Sequence, residues 1–323
     1  MSPHPQSVSL AGVGLAFGVL SGLLGVGGGF ILVPVLQLLF GVPYGQAVAA
    51  TTCQMIGASS AATVRQGSNG LAETRIPWVA FGGVMVGAHL GVQCLGWLAA
   101  AGSVPVLGRM APYLKVSLQP AYALLLVVIG VNILKSHPST ESSTTARGGW
   151  MSGSAPGPYV SLPRVGLRKA SIPGLACLGV VSGLLSGLFG VGGGVVVIPA
   201  LTWGLGFRFR VAAATANRLL LLTVIASTWA HALAGSVDLR LVLPLLFGSG
   251  LGAHVGATWM VRIRPRGLRS LFCVLVVLGA LLLLRDSVLT WRRSPEVVPR
   301  GAQGLSSDGS VLKLDATSRE KRP

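Results

Sequence analysis

Residues 21–34 read SGLLGVGGGFILVP and residues 186–199 read SGLFGVGGGVVVIP, so a glycine cluster interrupts an apolar run twice, at an offset of 165. The first run, Leu10–Phe40, would reach about 46 Å as one helix at 1.5 Å per residue. That is well beyond the ~30 Å hydrocarbon core of a bilayer. Glycine lets the backbone take conformations closed to other residues. Each run is therefore expected to be two short helices joined at the glycines. The join makes either one bent span or a re-entrant hairpin that returns to the face it came from.

Composition makes the bilayer the solvent. Charged residues are 10% of the chain, hydrophobic ones 51%, and the mean hydropathy is +0.71, whereas a soluble domain carries about 25% charged residues. Besides the broken runs at Leu10–Phe40 and Gly174–Gly206, apolar spans are expected near Gln46–Val64, Ile76–Ala100 and Pro120–Leu134. In the second half they fall near Val211–Leu233, Leu239–Met260 and Leu268–Leu284. The fold expected is an all-α polytopic membrane protein of two homologous repeats, each a glycine-broken and re-entrant helix plus three transmembrane helices. The repeats occupy 1–135 and 173–293. Residues 136–172, rich in Ser, Thr, Gly and Pro, read as a flexible linker, and 294–323 as a disordered polar tail.

The duplication extends beyond the glycines. Gly70-Leu-Ala-Glu73-Thr-Arg75 corresponds to Gly235-Ser-Val-Asp238-Leu-Arg240, and Gly87-Ala-His89-Leu-Gly91 to Gly252-Ala-His254-Val-Gly256, both at offset 165. Ala50-Thr-Thr-Cys-Gln54 corresponds to Ala213-Ala-Thr-Ala-Asn217 at offset 163. Such internal symmetry marks a duplicated membrane fold whose substrate site lies between the repeats.

The net charge of +17 sits in loops and tails, where it orients a membrane protein and meets anionic head groups. The partners expected are the lipid bilayer and a small anionic substrate, not nucleic acid; association of copies is left open. If the broken segments are hairpins, Arg65, Arg75, Lys135, Arg147, Arg164, Arg168, Lys169, Arg208, Arg210, Arg262, Arg264, Arg266 and Arg269 gather on one face, while Arg109, Lys115, Arg240 and the group beginning at Arg285 lie on the other. The positive-inside rule favours that asymmetry, with both termini outside the cytoplasm. The four cysteines, Cys53, Cys94, Cys177 and Cys273, show no ligand spacing and read as small buried hydrophobes. No metal or cofactor is expected.

Irregular backbone at membrane depth is tolerated where it is buried in protein or lines a cavity. Gly27, Gly28 and Gly29, with Gly192, Gly193 and Gly194, are therefore candidate substrate-binding positions, and the freed N–H groups at Phe30 and Val195 could hold an anion. Arg218, inside an apolar helix, is costly unless it faces protein or a cavity, and its planar fork suits an oxyanion. Snorkelling or an ion pair is the competing reading. The first repeat has Met55 there. Thr51, Thr52, Gln54, Thr215 and Asn217 form a neutral donor cluster, although threonines also bond their own helix backbone. His89 and His254 are candidates for proton coupling, as are Glu73 and Asp238. For these two acids, each placed two residues before an arginine, an ion pair pinning a loop is the preferred reading.

These residues resemble the sulfite exporter TauE/SafE family of membrane permeases. The likeness rests on GLLGVGGGFILVPVL, GLFGVGGGVVVIPAL, ATANRL around Arg218, and DLRLVLPLLFGSGLGAHVGA at 238–257. It covers nearly all of the chain except the linker and tail. The two histidines and the long linker depart from the pattern. The resemblance implies a multi-pass inner-membrane permease for sulfite, sulfonates or related small organic anions, working by alternating access around the two breaks. No Walker motif is present, so coupling would be to protons or to the anion's own gradient. A transporter of another solute such as a metal cation is the alternative, and an intramembrane enzyme a third.

Overall fold

The computed structural model describes residues 5–24, 28–67, 72–106, 109–135, 157–162, 167–262 and 265–293. Gly27 and the tail 294–323 lie outside them. Among the described residues ten helices run in order: α1 (Pro5–Leu24), α2 (Gly29–Phe40), α3 (Tyr44–Gly67), α4 (Arg75–Ala100), α5 (Tyr113–Lys135), α6 (Ile172–Phe189), α7 (Gly194–Pro199), α8 (Phe209–Leu233), α9 (Leu239–Arg262) and α10 (Pro265–Arg293). A π-helical turn, Ala200–Gly204, prolongs α7. Four helices are long and apolar enough to cross a bilayer: Arg75–Ala100, Ile172–Phe189, Arg210–Leu233 and Leu239–Trp259. On α4, the outward-facing Trp78 and Trp97 are nineteen residues apart, about 28 Å of helix. That spacing suits two interfacial tryptophans at opposite membrane surfaces.

Both apolar runs break at the glycines. Gly28 precedes α2 with φ 64°, and Gly193 precedes α7 with φ 73°. Gly190, which ends α6 at φ 68°, and Gly192 at φ 69° share that left-handed region, which costs other residues about 1–2 kcal/mol. The chain turns back on itself at each break. Gly28 returns to the carbonyl of Phe17, two turns before the end of α1, and Gly193 returns to Ser182 of α6.

Four helices pack in two pairs through glycine. On α1, Gly14, Gly18 and Gly22 meet the backbone of Leu245, Ser249 and Ala253 on α9, while Gly248, Gly252 and Gly256 of α9 meet Ala11, Leu15 and Val19. The same zipper joins α6 to α4: Gly179, Gly183 and Gly187 meet Ala80, Val84 and Ala88, and Gly83, Gly87 and Gly91 meet Ala176, Val180 and Leu184. In lipid no hydrophobic force draws helices together, so close backbone approach supplies the packing energy. A Cβ at any of these glycines would strike a partner backbone atom. Within each pair the contact numbers rise together, so the helices run parallel. The helix order interlocks the halves of the chain, because each pair takes one helix from either half.

Two strand pairs accompany the helices. β1 (Ser103–Val106) pairs with β2 (Arg109–Pro112), and β3 (Tyr159–Leu162) with β4 (Leu167–Ser171), both antiparallel. The second pair lies inside the stretch expected to be a flexible linker. It is ordered because Leu162 and Ala170 are buried and because the Arg75 guanidinium donates to the carbonyl and hydroxyl of Ser161, at 2.8 and 2.9 Å. Ser171 then caps α6, its hydroxyl accepting from the Gly174 N–H. Only two of the cysteines are buried, Cys53 and Cys273; Cys94 and Cys177 face outward, an orientation that costs a small hydrophobe nothing in lipid.

Candidate functional site

The two breaks come together. The Cα of Gly29 faces the carbonyl of Gly190, with the Met55 sulfur and the Thr51 methyl alongside. Gly192 faces Met55 as well, together with Leu220 and Val224 of α8. Met55, Leu220 and Val224 form their own small apolar cluster, so one methionine lies against both breaks. Sequence reasoning treated Met55 only as the counterpart of Arg218. The signal for it was its place one turn after Thr51, on the same helix face.

Around this junction lie polar side chains sealed from solvent. Thr51 and Gln54 are fully buried, and the Thr51 hydroxyl and both Gln54 amide atoms have no hydrogen-bond partner. Burying such groups unpaired costs about 1–3 kcal/mol each. Two further groups were missed: Ser21 and Ser186, one turn before each break, are also fully buried with unpartnered hydroxyls. They open the duplicated SGLLGVGGG and SGLFGVGGG stretches, so the sequence carried their symmetry.

The other expected residues divide. Thr52 is buried but bonds the Ala49 carbonyl of its own helix at 2.9 Å. Thr215 accepts the Glu73 N–H at 3.0 Å, and Asn217 is fully buried two residues on. Arg218 is half-buried and reaches sideways, donating to the Thr74 hydroxyl at 3.0 Å and the Ala72 carbonyl at 3.4 Å. It clasps the loop before α4. Gly194 begins α7 and is buried.

The ion pairs expected at the two acids are replaced by helix caps. The buried Glu73 carboxylate accepts the N–H groups of Thr74 and Arg75, and Asp238 accepts the Arg240 N–H at 2.9 Å. An acid two residues upstream reaches the arginine's backbone more readily than its distant guanidinium, and negative charge suits a helix start. His89 and His254 are exposed on the outer faces of α4 and α9, with His89 bonded to Gln93 at 2.9 Å. They are not brought to the junction. Two residues turn a helix by about 200°, so glycines that face a partner point the intervening side chain outward.

No group of three or more metal-ligating residues occurs among the described residues. The model for the family described as Sulfite exporter TauE/SafE matches residues 10–283. A probable membrane transporter protein of Methanocaldococcus jannaschii, MJ0441, is 23% identical over 299 residues, covering 84% of this chain and 93% of the relative. The probable membrane transporter protein YdhB of Bacillus subtilis is 23% identical over 267 residues, covering 83% and 96%. No solved structure matches. The family match and these relatives make this a membrane transporter rather than an enzyme. With nearly its whole length matched and two glycine-broken runs meeting at one junction, the chain belongs to the sulfite exporter TauE/SafE family.

Proposed function

We propose that this transporter carries a small oxyanion, such as sulfite or a sulfonate, through a site at the junction of the two breaks. The observation that carries the reading is the meeting of Gly29 with Gly190 amid unpartnered donors on Thr51, Gln54, Ser21 and Ser186. Hydroxyl and amide donors, with the free N–H groups that open α2, suit a sulfur oxyanion's dispersed charge. Arg218, adjoining Asn217, supplies the cation, shared in the resting state with the 72–74 loop.

Helix directions support a re-entrant reading. Ser182 of α6 bonds Thr223 of α8, and Gly187 lies beside His231, so α6 and α8 run the same way. The α7 segment between them must therefore return toward the side where α6 began. Helix α9 follows α8 after a short turn and reverses it, and α1 is parallel to α9. The first half then runs opposite to the second, as in inverted repeats, and alternating access follows as one half rocks against the other. Gathering Arg75, Lys169, Arg208 and Arg210 on one side favours that side as the cytoplasmic one.

The test is uptake of labelled sulfite and a small sulfonate by proteoliposomes. Saturable uptake is expected. Gln54→Leu is expected to raise KM at least tenfold, and Arg218→Ala to lower kcat/KM by a similar factor. Absence of uptake of either anion by folded protein defeats the substrate assignment.

A further inference from the structure

His231, in the last turn of α8, has no role in the site described above. It is fully buried, and the Gly187 backbone of α6 is within hydrogen-bonding reach of its ring. One turn before it on the same face, Ser227 is fully buried with an unpartnered hydroxyl. Opposite, the Gly187 backbone lies beside the ring, and the preceding residue is Ser186, whose hydroxyl is also unpartnered. Two sealed polar groups, His231 and Ser227, thus lie one turn apart on one face of α8 near its end. Packing alone does not explain them, since each costs energy that an apolar residue of similar size would not.

The ring shares a helix face with the junction. Counting back along α8, residues 231, 227, 224 and 220 lie on one side, and Leu220 and Val224 touch Gly192. The imidazole therefore stands about 10–16 Å from the α8 residues that face Gly192, and beside Gly187 only about 5 Å of helix from Gly190. No carboxylate faces it from the helices packed around α8. On α3, Cys53 reaches Thr228, and the buried Tyr44 hydroxyl donates to the Leu188 carbonyl, next to Gly187. On α4, Glu73 caps the far end and His89 and Cys94 face outward; on α6, Cys177 faces outward. The α7 segment carries no ionisable residue, and the other charges of α8, Arg210 and Arg218, lie toward its start.

We propose that His231, with Ser227, is a proton-binding site coupled to the anion at the junction, so that proton and anion move together. This rests on the oxyanion reading above. With no acid to balance it, an imidazolium finds its countercharge only when the anion arrives. Across about 12 Å at an effective dielectric near 20, that attraction is worth about tenfold in affinity, and by linkage the anion favours the proton equally.

The experiment uses the full chain in proteoliposomes with methanesulfonate, whose charge does not change between pH 5.5 and 8, alongside sulfite. Counterflow at equal pH reports translocation alone, and accumulation under an imposed proton gradient reports coupling. Wild type is expected to accumulate anion when the outside is acidic. His231→Gln is expected to keep counterflow within about threefold and lose accumulation. Ser227→Ala is expected to shift the pH midpoint of accumulation by about half a unit, the scale of one hydrogen bond. Accumulation by His231→Gln equal to wild type overturns the proposal, as does a wild type indifferent to the gradient. If neither anion shows counterflow, the oxyanion reading fails separately. The proton site is then decided by nitrogen-15 spectra of histidine-labelled protein, assigned against His231→Gln. A His231 ring that takes up a proton between pH 8 and 4.5 supports the site, and one that stays neutral throughout that range overturns it.

Discussion

Gly192 shows what a single glycine does here. Its φ of 69° is left-handed, and a Cβ would meet the Met55 methyl at 2.6 Å and Val224 at 3.1 Å. Gly41 has nearly the same backbone, φ 64°, but open space around it. Gly41→Ala should therefore lose only the conformational cost, about 1–2 kcal/mol. Gly192→Ala should lose that plus the overpacking, about 2–4 kcal/mol in all. Thermal unfolding in detergent compares the two directly, and equal losses would show that space at the junction is irrelevant. Both glycines were visible in the sequence, and Gly192 stood out because it is clustered and duplicated. What was not visible is which of its neighbours leaves no room, since Met55 arrives from a helix 137 positions upstream (192 − 55).

At the scale of the helix, α4 carries two adjacent lessons. Gly87 faces the Val180 backbone of α6, while His89, two residues on, faces outward. Gly87→Leu is expected to destabilise the protein by about 1–3 kcal/mol or more by prising the pair apart. His89→Leu and His254→Leu should leave anion uptake within about twofold of wild type. A large loss of uptake on removing either histidine would return it to the transport machinery. The outward histidines were readable from the helical period once the glycines were taken as contact points. The glycine partners were not, because GxxxG marks a close approach without naming the helix approached. The caps at Glu73 and Asp238 were half-legible: the spacing to arginine was seen, yet the backbone rather than the guanidinium receives the carboxylate.

For the whole molecule, the parallel run of α4, α6 and α8 puts their starts on one side of the membrane and the α8–α9 turn on the other. Single cysteines at Thr74 and Arg208, in a cysteine-free background, should react with a membrane-impermeant maleimide from the same side. One at Ser236 should react from the opposite side. Labelling of the Thr74 and Arg208 positions from opposite sides would eliminate the hairpin reading and restore a bent span. The charge distribution already leaned this way, because Arg75, Arg208 and Arg210 cluster together only if each broken run returns.

The amino-acid sequence by itself determined the solvent, the duplication and the positions of the breaks. Each depends on short windows of chain: hydropathy over some twenty residues, a repeat at fixed offset, and glycine where φ must turn positive. It also singled out Thr51 and Gln54, within a polar cluster, as candidate donors. Only the tertiary structure decided that Gly29 meets Gly190, that Met55 spans both breaks, that Arg218 clasps the 72–74 loop, and that His231 is sealed while His89 and His254 face out. Those outcomes depend on which helices pack against which, and at what height. In a bilayer, many apolar faces are nearly equivalent, and only the completed packing distinguishes them.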